Sequence, residues 1–270
     1  MELVATSKLK RAQDRVVAAR PYAAALAEVI GDLYSPELAE RFTLLRQPGP
    51  GGVKKVALVL VTANRGLCGA FNANLIREAR RRMEDLAKEG ATVDLHLVGK
   101  KGIGFFRFAK RAIASQRADI GDRPTAAHAA EIMGPLMKAF EAGALDAVEV
   151  VFAKFNSAVS APPTLQRVLP VTPPKTGKGG AGTSANYILK PSAEAILERL
   201  LPLYVENQMF RALVETAAGF QGAQRTAMKN ATDNAGEILG VLTRTYNRAR
   251  QAQITQEIAE IVGGAEALQG

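Results

Sequence analysis

The sequence predicts an α/β fold: a small, mostly parallel-sheet domain inserted between long N- and C-terminal helices that form an antiparallel coiled coil. Three observations carry this reading. Leu9, Ala12, Val16, Ala19, Ala23, Leu26, Ile30 and Leu33 recur with alternating spacings of three and four, a heptad seam. Twelve of the 13 prolines fall from Pro36 to Pro202, so none interrupts residues 203–270. Between these ends, short β-branched runs alternate with helical patterns, as in βαβ units.

The elements follow in order. An N-terminal coiled-coil helix is expected within residues 1–45, bending at Pro21, because the seam continues through that residue. An α/β base domain is expected over 53–190, with strands at 53–61, 91–99, 146–155 and 164–171 and helices at 72–89, 100–110 and 125–143. RQPGPGG (46–52) and PPKTGKGGAGTS (173–184) read as loops. The third region, 192–270, is a C-terminal coiled-coil helix whose length of roughly 100 Å exceeds the width of a compact domain. Its seam runs from Val214 through Gln221, Gln224, Met228 and Ile238 to Gln256, so the 9–33 seam is expected to face residues 210–259. Alanine in this seam allows close backbone approach but buries little area, which predicts a thin rod.

Composition narrows the chemistry. Lys and Arg number 35 against 26 Asp and Glu, a net charge of +9 that suits acidic partners. One cysteine, Cys68, excludes an internal disulfide, and two histidines, His96 and His128, leave no zinc cluster. No apolar run of about 18 residues and no signal-peptide pattern is present, so a soluble protein of a reducing compartment is expected.

Two glycine turns invite a nucleotide-binding reading. TANRGLCGAFN (62–72) follows the first strand, but Gly66 and Gly69 fit neither G-x-x-x-x-G-K-[ST] nor G-x-G-x-x-G. Gly99-Lys100-Lys101-Gly102-Ile103-Gly104 follows the second strand and lacks the magnesium-binding hydroxyl, so a solvated basic turn is expected there. Cys68 reads as a packed thiol, and His96 and His128 as surface or satisfied polar residues. The basic first helix, with Lys8, Lys10, Arg11, Arg15 and Arg20 against Asp14, reads as a solvated face. Nucleic-acid binding would want aromatic interleaving, and the chain has no Trp and 6% aromatics.

Three stretches, MELVATSKLKRAQDRVVAARPY (1–22), TANRGLCGAFN (62–72) and AMKNATDNAGEILGVLTRTYNRARQAQITQEIAEIVGGA (227–265), together resemble the gamma subunit of F-type ATP synthase. The resemblance covers nearly the whole chain in the right order. It implies a central-stalk rotor subunit without covalent chemistry or cofactors. The terminal helices would lie inside a ring of alternating alpha and beta subunits, with the α/β domain at the membrane-side base, coupling proton-driven rotation to change at catalytic sites on the beta subunits. Implied partners are the alpha and beta subunits, the epsilon subunit and the membrane c-ring, with no nucleic acid and no direct lipid insertion. The implied location is peripheral, on the cytoplasmic face of the bacterial inner membrane.

By motif match, Arg250, Gln251 and Thr255 fall where the family makes polar contacts with a beta-subunit loop. The resemblance also marks departures. The chain begins at Met1 where the family has an internal methionine, so the first turns of the N-terminal helix are expected to be absent. Phe220 and Gln224 stand where the family usually has a carboxylate and an arginine, and Asn64 where it usually has aspartate. The alternative is a truncated or divergent gamma-like paralogue with impaired coupling. Two rivals from other classes are a nucleotide-dependent enzyme and a coiled-coil nucleic-acid binder.

Overall fold

The computed structural model describes residues 2–34, 41–47, 52–172 and 192–267. The chain divides into two compact units, Met1–Thr226 and Ala227–Gly270.

The first unit opens with helix α1 (Glu2–Leu33), which runs through Pro21 without a break. A 3₁₀ turn, Thr43–Leu45, leads toward β1 (Lys55–Val61). There follow α2 (Phe71–Lys88), β2 (Thr92–Val98), α3 (Lys100–Phe108), β3 (Ser115–Arg117), α4 (Ala126–Glu141), β4 (Ala147–Ala153) and β5 (Pro163–Leu169). Helix α5 (Ala193–Ala267) begins in the first unit and supplies the described residues of the second. Of the two expected loops, residues 48–51 and all of 173–184 lie outside the described residues.

The five strands form one sheet in the order β3-β2-β1-β4-β5. β1 pairs parallel with β2 (Leu58 opposite Leu95) and with β4 (Val59 opposite Val150), and β3 pairs parallel with β2. β5 joins antiparallel, with Phe152 opposite Thr164. The expected strands and helices are thus present with small shifts at their ends. β3 was not expected: three residues, SQR, show no apolar alternation, and its pairing is confined to the last three residues of β2.

Helices cover both faces, which is why β1 reads as an unbroken apolar run. Leu58 and Leu60 face α2 and α3, packing with Leu75, Ala79, Ile103 and Phe106. Ala57, Val59 and Val61 face the other way, into a cluster with Met133, Leu136 and Phe140 of α4 and Leu201, Val205 and Met209 of α5. Each large apolar side chain so buried contributes about 1.5–3 kcal/mol relative to exposure.

The terminal helices pair antiparallel. Leu9, Ala12 and Val16 of α1 cluster with Val214 and Ala218 of α5, whereas Leu26, Ile30 and Leu33 join the cluster holding Leu197, Leu201 and Val205. An Arg41–Glu194 ion pair closes the same arrangement. The α1 seam is therefore taken up by residues 197–218, which overlap the expected 210–259 only at their C-terminal end, through Val214 and Ala218. The physical reason is that residues 197–222 are apolar on more than one face, since this stretch fills the gap between α1 and the sheet. Within the second unit, every described residue from Lys229 onward is exposed except Gly240, which is half-buried.

Candidate functional site

In open, mostly parallel sheets, ligands settle in the crevice beyond the carboxyl ends of the strands. Here the crevice lies beyond Val61 and Val98, and protein groups fill it. Thr62 is buried; its Oγ1 lies 3.0 Å from the Val98 carbonyl, to which it donates, and accepts from the Gly102 amide at 2.9 Å. Asn64 Nδ2 donates to the carbonyls of Ala118 (3.1 Å) and Ile120 (2.8 Å), and its Oδ1 accepts from the Lys100 amide at 2.9 Å. The Lys101 amide donates to the Ala63 carbonyl at 3.2 Å. The first-turn amides of α3 are the groups that would hold a phosphate, and they are engaged by Thr62, Ala63 and Asn64 of the β1–α2 loop.

The TANRGLCGAFN loop is latched in the same way. Asn72 Oδ1 accepts from the Ala63 amide at 2.9 Å, while its Nδ2 lies 3.2 Å from the Cys68 thiol. Burial raises the Cys68 pKa against the lowering influence of Asn72, so this packed thiol is not poised as a nucleophile. Gly99 has φ +97°, and a Cβ there would lie 2.1 Å from the Thr62 carbonyl oxygen, so only glycine lets the two turns meet. The Gly99–Gly104 turn is a set of interior latches carrying exposed Lys100 and Lys101. What space remains, about 40 Å³ beside Leu213, Thr216, Ala217 and Phe220 of α5, can hold a water and is far below the size of a nucleotide pocket.

Two polar groupings tie α1 and α5 to this end of the sheet. On one side, Asp122 forms ion pairs with Arg65 and, at 3.7 Å, with Lys8, and its carbonyl accepts from Arg15 at 3.1 Å. On the other, the β4–β5 hairpin presents Phe155, whose amide donates to Glu215 Oε2 at 3.0 Å and whose carbonyl accepts from Arg20 at 3.2 Å. The Phe155 ring is buried among Leu9, Ala12, Val16, Val214 and Ala218. Thr216 Oγ1 accepts from the Ala153 amide at 3.2 Å. Sequence reasoning missed this grouping. Its one sequence signal is Gly219 and Gly222 inside a helix, where a Cβ would lie 2.8 Å from Ala161 Cβ and 2.5 Å from the Ala158 carbonyl oxygen respectively.

The departures take on physical meaning. Phe220 is a core residue, 3% exposed, meeting Phe71 edge-on with centroids 6.2 Å apart. A carboxylate in that apolar setting would require a partner or pay desolvation. Gln224 is half-buried, as is Arg225. His96 is half-buried, hydrogen-bonds Ser115 at 2.6 Å, and is shifted below the ordinary histidine pKa by burial. His128 closes a capping box with Thr125 at the start of α4. Both are satisfied polar residues.

Arg250, Gln251 and Thr255 lie on α5 within the second unit, and all three are exposed. At 100° per residue they span an arc of about 140°. Thr255 Oγ1 donates to the Gln251 carbonyl at 2.9 Å, which leaves its oxygen lone pairs and the Gln251 amide open to a partner. Among the apolar side chains beside them, Ile254 and Ile258 are exposed, as are Tyr246, Ile261 and Val262. Exposed apolar side chains in this number are of the kind that interaction surfaces carry.

A family model described as ATP synthase matches residues 1–268. The ATP synthase gamma chain of Gemmatimonas aurantiaca is 67% identical over 270 residues, covering 100% of this chain and 92% of that one. The ATP synthase gamma chain of Moorella thermoacetica is 44% identical over 268 residues, covering 99% and 92%. Among solved structures, the Tetrahymena thermophila mitochondrial ATP synthase central stalk and c-ring matches with TM-score 0.64 and 24% identity, over 86% of this chain and 97% of that one. A chain of the Euglena gracilis mitochondrial ATP synthase matches with TM-score 0.60 and 17% identity, over 99% and 94%. These two likenesses concern the fold.

Proposed function

The chain belongs to the ATP synthase gamma-chain family, and we propose that it meets its catalytic partners through the exposed residues of α5. Its function is that of the central-stalk rotor subunit of an F-type ATP synthase, and no observation favours the divergent-paralogue alternative. In this reading the division of labour is a helix within 1–45, a base domain over 53–190 and a helix over 192–270. Proton-driven rotation of the base turns the helices, and α5 presents successive faces to the beta subunits, biasing each site between open and closed states by differential contact.

The observation that carries the reading is the stretch beyond Lys229, whose side chains are exposed yet include nine large apolar residues from Ile238 to Val262. A helix so exposed does not stay in water unpartnered at such cost in apolar area. A surrounding ring of alpha and beta subunits would cover it. Arg250 would supply a charge-assisted, forked donor, with Gln251 and Thr255 beside it. The epsilon subunit and the membrane c-ring would meet the base domain, while nucleic acid and lipid tails have no part.

No described helix is long and apolar enough to cross a membrane, in keeping with a peripheral subunit. Its place would be the cytoplasmic face of the bacterial inner membrane. The chain would carry no catalytic residue of its own, and the first amides of α3 at the Gly99–Gly104 turn, already held by protein acceptors, offer no phosphate cradle.

Cross-linking tests the reading. In the holoenzyme, Thr255→Cys should cross-link to a beta subunit, and the cross-link should stop ATP synthesis until it is reduced. Cross-linking to the epsilon subunit or c-ring alone would contradict it. Micromolar ATP binding to the purified chain by calorimetry would contradict the non-catalytic role.

A further inference from the structure

We propose that two loops of the sheet domain form a collar that fixes the rotational angle of the α1–α5 pair, with Asp122 and Phe155 as its positioning residues. The first loop, around Asp122, holds α1 through Lys8 and Arg15 and is braced to the β1–α2 loop by Arg65. The second is the β4–β5 hairpin. Its Phe155 backbone is held by Arg20 of α1 and Glu215 of α5 together, and its ring is wedged into the helix seam.

Apolar packing sets the distance between helices and sheet, but it is non-directional and resists relative twisting weakly. Hydrogen bonds and backbone close approaches are directional. At this end of the domain they converge on both helices from two separate loops. Gly219 and Gly222 bring the hairpin onto α5 so closely that a Cβ at position 222 would meet the Ala158 carbonyl oxygen at 2.5 Å. Glu215 is buried, and its two oxygens bond Phe155 and Arg211, so the hairpin's grip is made with an almost fully desolvated carboxylate. Torque applied to the base would pass through this collar to the helix pair with little slip.

The inference rests on the rotor function, and ATP-driven rotation of the same holoenzyme, recorded before the rotor is stalled, keeps the two apart: a rotor that turns normally upholds the function whatever the collar does. The test uses holoenzyme with its catalytic head immobilised and its rotor stalled, and a bead attached to the sheet domain. Angular variance of the bead reports the twist between base and shaft. Arg20→Ala combined with Asp122→Ala should raise that variance about twofold by loosening one tie on each loop, and should lower protons pumped per ATP while hydrolysis continues. Asp122→Glu in an otherwise wild-type chain keeps a carboxylate for Lys8 and Arg65 and should retain most of the wild-type stiffness. Asp14→Ala breaks the Lys10–Asp14 pair within α1 (3.2 Å) and should leave variance unchanged. Wild-type variance in the double variant, or an equal rise in Asp14→Ala, would overturn the collar. If the double variant does not assemble, Asp122→Asn decides: raised variance supports the collar and wild-type variance overturns it.

Discussion

Arg82 of α2 grips Glu149 of β4 in a forked pair, Nε to Oε2 at 2.7 Å and Nη2 to Oε1 at 2.9 Å, beneath a sheet face that is otherwise apolar. Arg167, directly opposite Glu149 on β5, adds a second guanidinium at 3.0 Å. This is the means by which an otherwise apolar strand carries a residue that is 2% exposed and acidic. Burial alone would raise the Glu149 pKa, but the two guanidiniums outweigh it and hold the carboxyl below its ordinary value of 4.5.

Breaking this pair should be costly. Arg82→Ala leaves Glu149 with one half-exposed partner and should destabilise the chain by about 3 kcal/mol, whereas Glu149→Leu together with Arg82→Met should be far closer to neutral. Urea unfolding of the three proteins measures the difference. The sign of the pH dependence follows from the depressed folded value: the stabilisation is complete above the unfolded value near 4.5 and is lost as pH falls through the lower folded one. The wild type should lose stability in that acid window faster than the double variant does.

Gly99 and Gly104 make opposite demands within one turn and helix. Gly99→Ala forces a Cβ to 2.1 Å from the Thr62 carbonyl at φ +97°, and should cost about 2–3 kcal/mol. Gly104 lies inside α3 with open space around it, so Gly104→Ala should stabilise by about 0.5–1 kcal/mol. Thermal melts of both variants check the pair of signs.

Asn64 is held as an amide by its surroundings. Asn64→Asp would face the carbonyls of Ala118 and Ile120 with an oxygen in place of their shared donor, and should destabilise by about 1–3 kcal/mol at neutral pH. Chemical denaturation near pH 7 measures it, and an unchanged midpoint would show that the loop rearranges freely.

Much of this fold is legible in the sequence because its periods differ. The heptads from Leu9 to Leu33 mark a helix seam, and KVALVLV marks a strand buried on both faces. The antiparallel addition of β5 is not legible, since TLQRVLPV carries no sign of direction. The partner of the α1 seam is legible only at Val214 and Ala218, because the small-residue heptads run on past Ala218, whereas the side chains that meet the second half of α1, Leu197, Leu201 and Val205, also serve the sheet. At the candidate site, Arg250, Gln251 and Thr255 are proposed from motif match, and the structure adds that all three are exposed. Asp122, Phe155 and Glu215 are not found by motif, because their roles arise from backbone contacts between segments far apart in sequence.

Shaft contacts can be weighed by genetics. Arg250 offers a forked donor that lysine cannot reproduce, and Gln224 stands where the family resemblance implies an arginine. Arg250→Ala should therefore impair ATP synthesis by membrane vesicles more here than in a relative that retains that arginine, and Gln224→Arg should partly restore synthesis in the Arg250→Ala background. Failure of that rescue would mean that torque passes through the general shape of the helix.

The central claim is tested most directly by watching the chain turn. With the alpha and beta subunits fixed to a surface and a probe on the base domain of this chain, ATP should drive stepwise rotation in one direction, and the chain without those subunits should hydrolyse none. Sustained ATP hydrolysis by the complex while the probe stays still would contradict the account.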